Sequence, residues 1–296
     1  MDIDLRKLRY FVAVAEELHF GRAAERLYIT QPVLSRQIRA LEQDLGTTLF
    51  ARNRRSTELT PTGQVLLEEA RPLLASATAL TRRLTRAAHG APAFTIAFMP
   101  GTTVTAAVRA LTARHPGLTV NLMRTTWDDQ TDVLHDGRAD AGLVRMPVEQ
   151  RGLRLVPLYT EPRVAVVSTE HRLAGKTTIK VADLAGEPML QHPDAVPEWR
   201  DLPGRLTGHP ATPRPVFHSV EEKLEHVAAC HGVIVLPLSV AAYYTRPDVT
   251  HVPVDDIPPN QVCLAWSRTR RSPLVQEFAD IAADHFTTGP RAPHPV

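Results

Sequence analysis

The sequence predicts an α/β chain built from a small helical head, one long linking helix and a larger body of alternating strands and helices. Three observations carry that expectation. Apolar residues recur at helical spacing from Leu8 to Leu45 and again from Leu66 to Ala87, whereas from residue 93 onward short strand-like runs alternate with helical stretches. Charge is uneven: residues 20–57 hold seven Arg against three acidic residues, while residues 91–296 carry 20 basic and 22 acidic ones. A polyanion contact therefore belongs at the N-terminal end, with other work left to the remainder. Finally, 296 residues with 43% hydrophobic and 22% charged content match ordinary globular usage and leave room for about two domains.

Composition also excludes several classes. The first apolar run, RYFVAVAEELHF, is cut by Glu16, Glu17 and His19, so it reads as neither a signal peptide nor a membrane span. Cys230 and Cys263 cannot build a disulfide framework and fit a reducing cytosol, so a cytoplasmic location and no membrane partner are expected. Of the 34 basic residues 30 are Arg, which suits planar contacts to phosphate and guanine, although a GC-rich genome produces the same bias.

In the first helix Leu8, Phe11, Val12, Ala15 and Leu18 form the expected buried stripe. A short second helix places Ala23, Ala24 and Leu27 inward, their small side chains allowing close helix approach, and ends near Tyr28. Thr30 then reads as an N-cap, with Pro32 in the first turn of a third helix, where its missing amide hydrogen is harmless. In that helix Leu34, Ile38, Leu41 and Leu45 face inward. Pro32, Ser35, Arg36, Arg39 and Gln43 spread over about 100° of the opposite side. Arg spans guanine acceptors, Gln pairs with adenine and Ser serves base or phosphate, so this face, with Gln31 at its start, has the chemistry of direct base readout. The alternative is an ordinary solvated face. Gly46 ends the helix, and two strand-like pieces around Arg52, Arg54 and Arg55 read as a hairpin whose basic tip would lie along a phosphate backbone.

The run from Leu5 to Gly63 resembles the winged helix-turn-helix of LysR-type transcriptional regulators. The likeness lies in the paired Ala helix, Gln-Pro-x-Leu-Ser-Arg-Gln-Ile, Leu-Glu-x-x-Leu-Gly, Leu-Phe-x-Arg and Leu-Thr-Pro-x-Gly. It implies a double-stranded DNA partner, a reading helix at its Gln31 to Arg39 end entered from Thr30, and a wing at Arg52, Arg54 and Arg55. His19 and Gly21 depart from the pattern, standing where relatives carry small polar residues.

After a second cap at Thr60 and Pro61, the positions Leu66, Ala70, Leu73, Ala77, Leu80, Leu84 and Ala87 step by four and three. Such a seam on a lone helix is best buried against a second copy, so a homodimer is expected; packing onto the body is the alternative. Pro72 interrupts the seam and predicts a bend, at a cost of about 3 kcal/mol. HGAP (89–92) supplies a stop.

The body shows eight strand-like runs: FTIAFMP, LTVNLMR, DAGLVR, RVAVVST, EPMLQ, RPVFHS, GVIVLP and QVCLAWS. If parallel, they place ligand residues beyond their carboxyl ends. That rule selects MPGTT (99–103), with Gly101, Thr102 and Thr103; RTTW (124–127), with Thr125, Thr126 and Trp127; Arg145; Gln191 and His192; and HSV (218–220), with Ser219 and Val220. Hydroxyls, helix amides and one Arg suit a small-molecule effector such as a carboxylate, while simple helix capping explains each hydroxyl separately.

HPGLTVNL, LHDGRADAGLV, HRLAG and EHVAACHGVIVLP extend the resemblance to the LysR-type effector region, two α/β subdomains resembling periplasmic solute-binding proteins. It implies a DNA-binding domain over 1–60, a linker and dimerisation helix over 61–90, and an effector-binding domain over 91–296. Subdomain I would take about 91–161 and 268–290, and subdomain II about 162–267, with a homotetramer as the further assembly. The tail from 287 reads as disordered. No catalytic motif appears, so neither enzyme activity nor a cofactor is expected. His226, Cys230 and His231 lie one turn apart on an expected helix, but no second cluster completes a metal site. A ligand-binding protein or cleft enzyme without specific DNA binding is the competing reading.

Overall fold

The computed structural model describes residues 3–52, 57–88, 92–202, 217 and 219–288. Contacts divide the chain into two compact units, the first reaching residue 85 and including 135–137, the second holding the rest.

The first unit opens with α1 (Leu5–Glu17), capped by Asp4, whose carboxylate accepts from the Arg6 amide at 2.7 Å. Leu8, Phe11, Val14 and Ala15 are buried on it. Leu18, expected on the same stripe, is instead the left-handed cap residue (φ 47°) and half exposed, because the helix has already ended. In α2 (Phe20–Arg26), His19 serves as N-cap: the Gly21 and Arg22 amides donate to its Nδ1 at 3.1 and 3.2 Å. The imidazole needs the glycine, since a Cβ at Gly21 would lie 2.9 Å from the His19 ring. This accounts for the departure at both positions.

Tyr28 turns the chain with φ 55°, and α3 (Gln31–Leu45) follows, burying Leu34, Ile38 and Leu41. Each such side chain contributes about 1.5–3 kcal/mol. Thr30 is the N-cap residue as expected, although its side chain makes no capping bond. Gly46 (φ 65°) closes the helix with its amide on the Gln43 carbonyl. Strands β1 (Phe50–Arg52) and β2 (Thr57–Leu59) pair antiparallel as the expected hairpin. Its tip, with Arg54 and Arg55, lies outside the described residues, as does the side chain of Arg52. In α4 (Pro61–Ala88) the Thr60 hydroxyl accepts from the Gly63 amide at 3.0 Å, and the helix continues through Pro72. Leu73, Leu80 and Leu84 of the seam are exposed, whereas Ala70 is buried and Ala87 lies outside the described side chains.

The second unit contains β3 (Ala93–Phe98), α5 (Thr105–Arg114), β4 (Thr119–Arg124), α6 (Asp132–His135), β5 (Ala141–Arg145), β6 (Leu153–Glu161) and β7 (Arg163–Ser168). Then come α7 (Pro197–Arg200), α8 (Val220–Ala228), β8 (Ile234–Pro237), α9 (Leu238–Tyr243), β9 (Val249–Pro253), β10 (Asn260–Ser267) and α10 (Pro273–Thr288). One sheet has the order β4-β3-β5-β10-β6, the other β8-β7-β9. Among the described strands β3 runs parallel to β4 and β5, whereas β10 runs antiparallel to β5 and β6, and β7 antiparallel to β8 and β9. The parallel arrangement on which the strand-end rule depends is thus met at β3, β4 and β5 but not at β7 or β10.

Three further corrections follow from pairing. The stretch 187–191 makes only an isolated bridge, Met189 to Val233, and most of 214–219 lies outside the described residues. Strands β6 and β9 were not expected. Pro157 disguises β6, and it is tolerated because β6 is an edge strand with a register shift opposite Val262 and Cys263. Because β10 pairs with β5, the chain re-enters the first sheet by Asn260, not near 267. The first subdomain buries Phe94, Ile96, Leu264 and Phe278 together; the second packs Trp199, Leu184 and Val233. Among the described residues no helix is long and apolar enough to cross a membrane.

Candidate nucleic-acid interface and ligand cleft

On α3 the residues opposite Leu34 and Ile38 face solvent. Gln31, Pro32, Arg36, Arg39 and Gln43 are exposed and Ser35 is half-buried. Thr30 precedes them, also exposed. The acidic residues of the same helix are engaged elsewhere. Glu42 Oε1 accepts from the Leu49 and Phe50 amides at 2.9 and 3.3 Å, and Asp44 pairs with Lys7 at 2.6 Å. Among the described residues neither Arg36 nor Arg39 forms an ion pair or hydrogen bond within this chain. The helix thus presents two uncommitted guanidiniums. Tyr28, which the sequence marked only as a helix end, is 96% exposed beside the start of α3. An aromatic residue in the turn with no apolar neighbour one helical turn on was its available signal.

Within the second unit a cavity of about 90 Å³ lies between the two sheets. Thr126 and Trp127 line it just after β4 and Arg145 at the end of β5, and Gln191, His192 and Val220 line it as well, although no strand among the described residues leads into them. Gln191 is held by accepting the Val235 amide at 2.7 Å, and His192 Nδ1 accepts from the Asp194 amide at 3.2 Å. Thr126 also closes a turn, its amide and hydroxyl both donating to Asp129.

The other expected residues do not line the cavity, and each has a local duty instead. The Thr102 hydroxyl donates to the Met99 carbonyl at 2.8 Å, Thr125 donates to the Phe98 carbonyl, and Thr103 meets Thr105 at the surface. Ser219 caps α8 by accepting the Glu222 amide at 3.0 Å. Gly101 (φ 77°) is a packing residue, since a Cβ there would lie 2.8 Å from the Val240 amide nitrogen and 2.9 Å from Ser239 Oγ.

Arg145 is buried and holds the cleft together. Its Nε donates to Glu161 at 3.1 Å, and its terminal nitrogens donate to the Pro100 carbonyl at 2.7 Å and to Ser239 Oγ at 3.2 Å. Three of its five N–H groups are used in this way, and its charge faces the Glu161 carboxylate. Arg163 makes a fork to Glu198 at 2.6 and 3.2 Å, and Arg124 reaches Glu221 at 3.2 Å.

Arg124, from the expected RTTW stretch, lines the cavity, whereas sequence reasoning missed Arg163, Lys223 and Asn260, which line it too. The rule applied to strand ends assumes parallel strands; antiparallel β10 brings its first residue, Asn260, to the edge where β5 ends. Asn260 Nδ2 donates to the Met146 carbonyl at 2.9 Å, while its buried Oδ1 has no hydrogen-bond partner. Burial pushes the Lys223 ammonium below the ordinary lysine value, with Asp128 and Glu222 opposing the shift. Outside the cleft, the expected His226, Cys230 and His231 helix is corrected. Helix α8 ends at Ala228, Cys230 has φ 58°, and His226 and His231 meet through their Nδ1 atoms at 2.9 Å. Among the described residues no cluster of three or more metal-ligating side chains occurs.

Comparison with known proteins places both parts. Residues 5–64 match the model of the bacterial regulatory helix-turn-helix protein, lysR family, and residues 89–287 match the LysR substrate binding domain. The chain is 31% identical to the HTH-type transcriptional regulator AlsR of Bacillus subtilis over 295 residues, covering 95% of each. It is 34% identical to the HTH-type transcriptional regulator IlvR of Caulobacter vibrioides over 289 residues, covering 93% of this chain and 95% of that one. Among solved structures, full-length CbnR complexed with its target DNA is 27% identical, with a TM-score of 0.51 over 96% of this chain and 100% of that one. The C206 mutant of Corynebacterium glutamicum OxyR is 27% identical, with a TM-score of 0.51 over 97% and 94%.

Proposed function

The chain belongs to the LysR family of DNA-binding transcriptional regulators with an effector-binding domain, and from that premise we propose how its own residues divide the work. Helix α3 reads operator bases in the major groove through Gln31, Ser35, Arg36 and Arg39, with Thr30 and Pro32 setting its entry. Arg52, Arg54 and Arg55 of the wing hold the phosphate backbone. The observation that carries this reading is the exposed face of α3, whose two arginines remain uncommitted while its acids are tied to Leu49, Phe50 and Lys7. CbnR, a structural relative, is described in complex with target DNA, which supports the same use here.

The cavity between the two sheets is the effector site. A ligand that binds one arrangement of the subdomains better than another shifts their equilibrium by that difference in affinity. We read it as a sensing site in a cytoplasmic protein, without catalysis; turnover of a bound probe would overturn that. The exposed leucines of α4 support a homodimer through that helix, with a homotetramer as the larger assembly.

The test is a gel-shift titration of the full-length protein against its own upstream DNA and a random duplex. Arg39→Ala is expected to reduce discrimination between the two by about 1–3 kcal/mol, whereas Arg54→Ala weakens both alike and lowers the salt slope by about 1. Equal losses from both substitutions would sink the assignment of roles.

A further inference from the structure

Among the described residues three arginines line the cleft, and each of them faces a carboxylate. Arg145 faces Glu161 at 3.1 Å, Arg163 faces Glu198 at 2.6 Å and Arg124 faces Glu221 at 3.2 Å. Lys223 is different. Among the described residues its ammonium makes no hydrogen bond and no ion pair within 4 Å, and Asp128 and Glu222 act on it only from farther away. An incompletely compensated cation facing a half-enclosed space is stabilised by an incoming anion.

Asn260 supplies a second, independent feature. It is 8% exposed, and the bond from its Nδ2 to the Met146 carbonyl orients the amide, because a flip would set two acceptors against each other. Its Oδ1 is thereby left buried and unpartnered, an acceptor waiting for a donor. The rest of the lining includes Trp127, Val235, Leu236 and Val240, which favour an apolar body. At about 10–15 Å³ of such space per water-sized group, a 90 Å³ cavity holds a molecule of roughly six to nine non-hydrogen atoms.

We propose that Lys223 and Asn260 are the recognition pair of this cleft, and that its effector is a small monoanion bearing a hydrogen-bond donor on a short apolar body, such as a 2-hydroxy carboxylate. This rests on the reading of the cleft as the effector site. Lys223 takes the carboxylate, and the hydroxyl donates to Asn260 Oδ1. A dianion would meet only one undercompensated cation, and a neutral analogue would leave Lys223 as it was.

Calorimetric titration of the full-length protein with 2-hydroxybutyrate, butyrate and 2-hydroxybutyramide tests the assignment. The hydroxy acid should bind, and loss of either the hydroxyl or the charge should weaken binding at least roughly tenfold. Lys223→Met should bring the acid and amide to parity, and Asn260→Leu should do the same for the hydroxy acid and butyrate, each variant retaining the native near-ultraviolet dichroism. Equal binding of acid and amide to the unmodified protein, an acid preference that survives in K223M, or no binding by any probe at millimolar concentration would overturn the proposal. Val240→Trp, which fills the cavity, separates the two levels. Binding that persists unchanged in it would place the site elsewhere and overturn the cleft reading itself, whereas binding lost there but indifferent to Lys223 would overturn only the ligand class.

Discussion

Glu42 lies one turn beyond Arg39 on α3, yet its role is structural: one carboxylate oxygen accepts two consecutive amides at the start of the wing. Glu42→Ala should leave the Leu49 and Phe50 amides short of a partner, costing about 1–3 kcal/mol locally, while Glu42→Gln retains an acceptor. Hydrogen exchange should therefore speed up at these two amides in the alanine variant far more than in the glutamine one; equal exchange in both would show that the carboxylate does not hold the wing. At this scale the sequence was legible where periodicity spoke, as for Leu34 and Ile38, and illegible where a hydroxyl had two uses. Thr102, Thr125 and Ser219 carry the same chemistry as ligand contacts, and only their bonds to Met99, Phe98 and Glu222 show them closing turns and starting a helix.

Helix α4 presents the opposite case, an element whose sequence pattern outruns what one chain can bury. Leu80 is 51% and Leu84 63% exposed. Leu80→Asp combined with Leu84→Asp should convert a dimer to monomer in sedimentation equilibrium, because two carboxylates would be desolvated in the seam while the buried core around Phe11 and Leu34 is untouched. A dimer that survives both changes would move the interface off this helix. Strands were less legible than helices. The nine residues of β6 carry Pro157 and no clean alternation of burial, so their pairing with β10 is a property of the sheet edge.

Across the second unit, Arg145 is the residue on which the two subdomains converge, joining Glu161, the Pro100 carbonyl and Ser239 in one buried network. Arg145→Met should destabilise this unit by about 3–5 kcal/mol, because Glu161, only 5% exposed, would be left as a buried unpaired charge. The double variant with Glu161→Met should recover much of the loss. All three tryptophans, Trp127, Trp199 and Trp266, lie in this unit, so fluorescence-monitored urea unfolding reads it selectively. A single variant as stable as the double one would refute the pairing as the source of the loss.

The sequence by itself determined the helical head, its apolar and basic faces, the seam of α4 and the family to which the chain belongs. These depend on periodicities and motifs that repeat within a few residues, so local spacing encodes them. Only the tertiary structure decided the mixed strand directions, the return of β10 to the first sheet and the membership of the cleft. Those features depend on partners far apart in the chain, as with Asn260 and Met146, 114 residues apart, and on which charges find each other when the chain closes. Arg145 shows the physical reason most directly: its guanidinium pairs with Glu161 because both are buried at the same crossing, a circumstance no spacing in the chain announces.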